Sequence, residues 1–171
     1  MVIQLLLSLT SLLLAAPAAS APVRVQCQGT QCQEFDIVER QVVREGTDGT
    51  LIWTRTLAWT QDGFRRLSLS EETGHVFCST SRPALITTEN GATATVMLAP
   101  LSEWEYDRAP QLYLKYFEAC HSAGTAVVTG RDKVARELGY RVLRVNMSRP
   151  LGLTKPESIF YFPAPNRRDR P

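Results

Sequence analysis

A chain of 171 residues with 44% hydrophobic and 21% charged residues has the composition of a globular protein with enough apolar side chains for one core. Its formal charge of +2 comes from the C-terminus, where Arg167, Arg168 and Arg170 outnumber Asp169, and the remainder of the chain is balanced. A neutral body lacks the concentrated basic face that displaces counterions from phosphate, which argues against nucleic acid as a partner.

Residues 1–20, MVIQLLLSLTSLLLAAPAAS, read as a removable export signal. The apolar run of about 12 residues would make a helix of about 18 Å, short of a bilayer core of about 30 Å. Ala18-Ala19-Ser20 before Ala21 supplies the small residues of a cleavage site. No Lys or Arg precedes the run, so a retained anchor is the alternative. Cleavage would leave one domain over 21–162, with no stable membrane span, and a disordered Pro/Arg tail over 163–171.

Strands dominate the first half of the mature region. Residues 35–43, FDIVERQVV, alternate and end at the turn-forming REGTDG. Residues 50–60, TLIWTRTLAWT, show the clearest period of two. Leu51, Trp53, Leu57 and Trp59 form one apolar face, with Thr54, Thr56 and Thr60 on the other. Asp62-Gly63 reverses the chain into FRRLSL, and a further strand centres on His75 to Ser79. In residues 84–98, an Asn90-Gly91 turn predicts a hairpin pairing Thr88 with Thr93, Ile86 with Thr95 and Leu85 with Val96.

Helical signals follow. Asp107 as cap, Pro110 in the first turn and Gly124 as stop frame a helix in which Leu112, Tyr116 and Cys120 share one face. A second helix runs from Thr129, at capping-box spacing from Asp132, to Gly139. AVVTG (126–130), YRVLRVNM (140–147) and SIFYF (158–162) read as short strands. The expected architecture is α+β: a twisted antiparallel sheet with two C-terminal-half helices packed on one face and stapled by disulfides.

Four cysteines in an exported domain imply two disulfides. Cys27 and Cys32 have the spacing C-x4-C around Gly29, which suits a turn rather than the C-x-x-C of a redox enzyme. Metal binding has one attraction: His75 stands near Cys78, and His121 adjoins Cys120. Yet residues three apart on a strand face opposite ways, and neighbours on a helix diverge by about 100°. Neither a metal nor a cofactor is therefore expected. Of the three connectivities, Cys27–Cys32 with Cys78–Cys120 is preferred. The second bridge closes about 43 residues, worth about 4 kcal/mol by chain entropy, and the first is worth nearer 2. The pairings that tie the N-terminus to the body stay open.

Catalytic signatures are missing: no G-x-S-x-G, S-x-x-K, H-E-x-x-H, P-loop or G-x-G-x-x-G occurs. Two stretches are candidate binding surfaces. In CSTSRP, Ser79 offers a hydroxyl and Arg82 a fork for an anion, or else a cover for a strand end. In SEWEYD, Glu103, Trp104 and Tyr106 combine a carboxylate with aromatic faces. With Glu105, that set is also what a carbohydrate-active enzyme would use. Asn146-Met147-Ser148 fits a glycosylation sequon, which matters only in a eukaryotic secretory route.

FCSTSRPALI (77–86) and YLKYFEACH (113–121) together resemble uncharacterised small exported proteins of cyanobacteria. These carry a C-S-x-x-R-P-A-x-I strand and a tyrosine-rich helix ending in C-H. The resemblance implies the Cys78–Cys120 pairing and a periplasmic or thylakoid-lumen address, and it brings no activity with it. The expected function is that of an exported non-enzymatic binding or assembly-support domain for a protein or small ligand. A carbohydrate-active enzyme and a Cys/His metal-binding protein are the alternatives.

Overall fold

The computed structural model describes residues 21–89, 92–97, 109–142 and 149–162. The expected signal segment and tail lie outside them. Seven strands form one antiparallel sheet in simple chain order. They are β1 (Val23–Gln28), β2 (Gln31–Gly46), β3 (Gly49–Asp62), β4 (Arg65–Cys78), β5 (Ala84–Glu89), β6 (Ala92–Met97) and β7 (Arg149–Leu153). Helices α1 (Pro110–His121) and α2 (Gly124–Glu137) pack on one face, giving the expected α+β architecture.

Tight turns generate the meander. The partners Gln28↔Gln31, Gly46↔Gly49 and Asp62↔Arg65 each enclose a two-residue loop. Gly29 (φ 62°) and Gly63 (φ 57°) supply the left-handed backbone that two of these loops need. Gly49 has a different task. A Cβ there would stand 2.5 Å from the Cys78 carbonyl oxygen, so β3 can approach the end of β4 only without a side chain.

The period-two alternation of β3 is kept, and both of its faces are covered in part. Thr54 and Thr56 lie on the helix-covered side, in line with Ile37 of β2, whereas Leu51 lies on the opposite side with Phe77. The sheet in fact has two cores. Under the helices, Val23, Phe35, Ile37 and Val76 meet Tyr113, Leu114, Tyr116, Phe117 and Val127. On the far face, Leu51, Phe77, Ala84 and Ile86 meet Leu151, Leu153 and Ile159. The 3-10 helix Pro156–Tyr161 covers that second core, where SIFYF had suggested a strand. Its Phe160 ring packs edge-on against Phe77 at 5.2 Å.

Other departures are local. β1 forms where only a turn was expected, because each end of the C-x4-C turn is long enough to pair. FRRLSL and the strand around His75 are one strand, β4, bulged where Ser68 takes φ 52°. AVVTG is helical rather than extended, since α2 starts at Gly124 and bends at Arg131 (φ 27°). Thr129 does not cap; its hydroxyl donates to the Ala126 carbonyl at 3.3 Å. The β5–β6 register matches the hairpin expected from Asn90-Gly91.

Both preferred disulfides are present. Cys27–Cys32 joins directly opposed residues of the β1–β2 hairpin, and Cys78–Cys120 ties the end of β4 to α1 across a separation of 42 residues. In urea unfolding, Cys78→Ser/Cys120→Ser should therefore lose about 4 kcal/mol and Cys27→Ser/Cys32→Ser nearer 2. A reversed order would show that chain entropy is not what the long bridge supplies.

Candidate functional site

Strands β4 and β5 pair over only three positions, His75↔Ile86, Val76↔Leu85 and Phe77↔Ala84. Beyond them β4 runs back to Arg65 and β5 on to Glu89, so the sheet forks at Gly74. A Cβ at Gly74 would lie 3.3 Å from the Ile86 carbonyl oxygen, tighter than side chains normally approach backbone, and the apex of the fork suits glycine.

A cleft of about 250 Å³ lies at this fork under the first turns of α1. Its lining includes Thr54 and Thr56 from β3, Glu72 and Gly74 from β4, Thr87 from β5, and Gln111 and Lys115 from α1. The threonines alternate with outward-facing residues, which is why one sheet face presents hydroxyl groups in rows. Thr54 Oγ1 is 3.5 Å from the Gly74 carbonyl oxygen. At the rim, Lys115 Nζ meets Glu72 Oε2 at 2.6 Å. Glu72 is the single carboxylate among the described lining residues, whereas glycoside cleavage uses two.

The same fork leaves a strand edge open. Among the described residues, nothing pairs with the outer edge of β4 from Arg65 to Gly74. Its side chains are exposed over most of that length, Leu69 to 66%. Phe64, at the adjoining hairpin tip, is fully exposed.

A buried polar chain sets the position of α1. Tyr116 Oη accepts the Ser79 amide and donates to the Ser79 carbonyl, both at 3.1 Å. It lies 2.9 Å from the Tyr140 hydroxyl, which is 2.8 Å from His121 Nε2. Burial pushes the Tyr116 phenol well above its usual range, reinforced by Tyr140, and raises Tyr140 too. Burial lowers His121, so the whole chain favours its neutral form. His75 is lowered for the same reason, against the opposing charge of Glu157. On the opposite flank, buried Glu118 accepts from Arg40 at 2.8 Å and from the Gly124 amide at the start of α2 at 3.0 Å.

The sequence-selected residues separate. Ser79 and Arg82 share one loop, and both are buried. Ser79 Oγ accepts the amides of Ser81 and Arg82, closing the turn after β4. The Arg82 guanidinium donates to the Ile159 and Phe162 carbonyls and pairs with Asp48 at 3.0 Å, clamping the second core. Glu103, Glu105, Trp104 and Tyr106 lie outside the described residues, as does Asp107. All four cysteine sulfurs are in disulfides, and among the described residues no group of three or more His, Cys, Asp or Glu side chains is placed to hold a metal ion. Among the described residues no helix is long and apolar enough to cross a membrane.

Sequence reasoning missed the cleft. Its one visible signal is the alternation of Thr54 and Thr56 in TRTLAWT, with Thr87 in ITTE, a pattern shared by ordinary exposed strands. No protein-family model, curated protein or solved structure matches the chain.

The two lowered histidines have a consequence for stability. Near and below the ordinary pKa of 6.5, the unfolded chain takes up protons that the native state resists. Stability should thus be level above that pH and fall as pH drops beneath it. His121→Gln, which keeps a hydrogen-bonding side chain but does not titrate, should flatten part of that slope in urea unfolding at pH 7 and below. An unchanged slope would remove His121 from the account.

Proposed function

We propose that this protein is an exported, non-enzymatic binding domain that takes an extended polypeptide along the outer edge of β4. One observation carries the reading: an unpaired strand edge and a hydroxyl-lined cleft coincide at the β4–β5 fork. An added strand satisfies the edge amides and carbonyls, and alternate side chains of that strand reach the cleft. Size favours this over a small-molecule site. Dedicated ligand pockets occupy about 300–1,000 Å³, and this cleft is smaller, suited to one or two side chains.

The leader-like N-terminus and the two disulfides support export to an oxidising compartment, a periplasm, a thylakoid lumen or the extracellular space. The disulfide between β4 and α1 suits a binding domain, since it holds the helix over the cleft without help from a ligand.

The test is selection of a phage-displayed linear peptide library on the oxidised protein, followed by amide hydrogen exchange of the complex with a selected peptide. Protection should concentrate on residues 65–74, and Gly74→Val, which fills the fork, should weaken peptide binding at least about tenfold. Protection confined to other elements, or binding indifferent to Gly74→Val, would overturn the assignment.

A further inference from the structure

We propose that the strand added at β4 is β4 of a second copy of this chain. This rests on the strand-addition reading and names its partner.

The edge sequence RRLSLSEE, residues 65–72, is basic at one end and acidic at the other. Laid antiparallel against itself about a two-fold axis between Ser68 and Leu69, it sets Arg65 opposite Glu72 and Arg66 opposite Glu71. Residues directly opposed on paired strands must point to the same face. In a regular strand, residues an odd number apart face opposite ways, and this pairing would fail. The bulge at Ser68 repairs it. Arg65 is in register with Asp62 and Glu72 with Thr56, which share the helix-covered face of β3; Arg66 aligns with Gln61 and Glu71 with Leu57, on the other face. Each arginine therefore meets a glutamate on its own side of the sheet.

Local charges are arranged for this. Among the described residues Arg65 has no ion-pair partner, and Arg66 lies over the Trp59 ring at 4.1 Å, held flat beside the edge. Glu71 has only a long contact to Arg55, 3.6 Å, and Glu72 is held by Lys115 at the cleft rim. All four edge charges are exposed, and each glutamate has a second carboxylate oxygen beyond the one its present partner takes. The same register sets Phe64 of the second copy opposite Thr73, whose pairing with Arg55 puts both on the face away from the helices. There the second copy would cover part of a ring that is fully exposed in one chain.

Sedimentation of the oxidised protein over about 1–500 µM tests the proposal. A dimer should form and should weaken as salt rises from about 0.05 to about 0.5 M. Arg65→Glu/Arg66→Glu and Glu71→Arg/Glu72→Arg should each weaken self-association about 100-fold or more, by setting like charges opposite one another. Mixing the two variants should restore a heterodimer, an outcome that a misfolded variant cannot give. Phe64→Ser should weaken the dimer without changing its charge dependence. A monomer at every concentration overturns the inference; if library peptides still protect residues 65–74, strand addition itself survives with another partner. A dimer indifferent to both charge variants places the interface elsewhere and also overturns it.

Discussion

Helix α1 is held to the sheet mainly by its C-terminal half, and the rest of the architecture depends on that attachment. Within six residues, Tyr116 bonds to Ser79, Glu118 pairs with Arg40, Cys120 is bridged to Cys78, and His121 closes the chain through Tyr140. The contacts reach two different strands and the loop after β4, so they set both the height and the direction of the helix. Its N-terminal half is seated by Tyr113 and Leu114, while Gln111, Leu112 and Lys115 face the fork between β4 and β5. The cleft is the space left there. Breaking the Glu118 pair would strand a buried carboxylate, a loss of about 3–5 kcal/mol when the partner is removed, so this anchor is as much a constraint as a bond.

The second core explains why the loop after β4 is stiff enough to serve as an anchor. Arg82 fills the space between Phe77 and the 3-10 helix and donates to that helix's last carbonyls, while its pairing with Asp48 reaches the β2–β3 turn. A long flexible cation would be a poor choice for a packed interior unless its hydrogen bonds joined segments far apart in the chain. Here they do. The loop is thus fixed from the far face by Arg82 and from the helix face by Tyr116, and the disulfide at Cys78 is inserted between the two.

Much of this is legible in the sequence. The β5–β6 register, the proline at the start of α1, the tight turns and the presence of two disulfides each follow from local chemistry, whereas the choice among the three pairings does not. What failed depended on the other side of the sheet. The threonine face of β3 carries no sign in its own segment that it lines a cleft, because that depends on where α1 lies. SIFYF reads as a strand because its residues favour one, but Pro156 opens a 3-10 turn and the second core needs Ile159 and Phe160 on it. The cleft belongs to the same class of error. It is lined by residues from four strands and a helix, none of them unusual in its own segment, and no run of sequence announces that β4 and β5 part after three pairs. Arg82 was singled out for the right feature, its fork of donors, which the protein spends on its own carbonyls.

Of the strand edges left unpaired among the described residues, the two longest belong to β2 and β4, and they are not equivalent. Past Phe35, β2 has no partner on the β1 side, yet it is interrupted by bulges between Ile37 and Glu39 and between Val42 and Arg44. Its cations are committed as well, Arg40 to Glu118 and Ser122, and Arg44 to the rings of Phe160 and Tyr161. Bulges and occupied charges are the ordinary means by which a sheet edge is kept from pairing. The β4 edge carries a single bulge, and that bulge brings its opposite charges onto matching faces instead of disrupting them. An irregularity that blunts one edge therefore makes the other self-complementary. The distinction lies in where the extra residue falls relative to the charges, and at β4 it falls midway between the two arginines and the two glutamates.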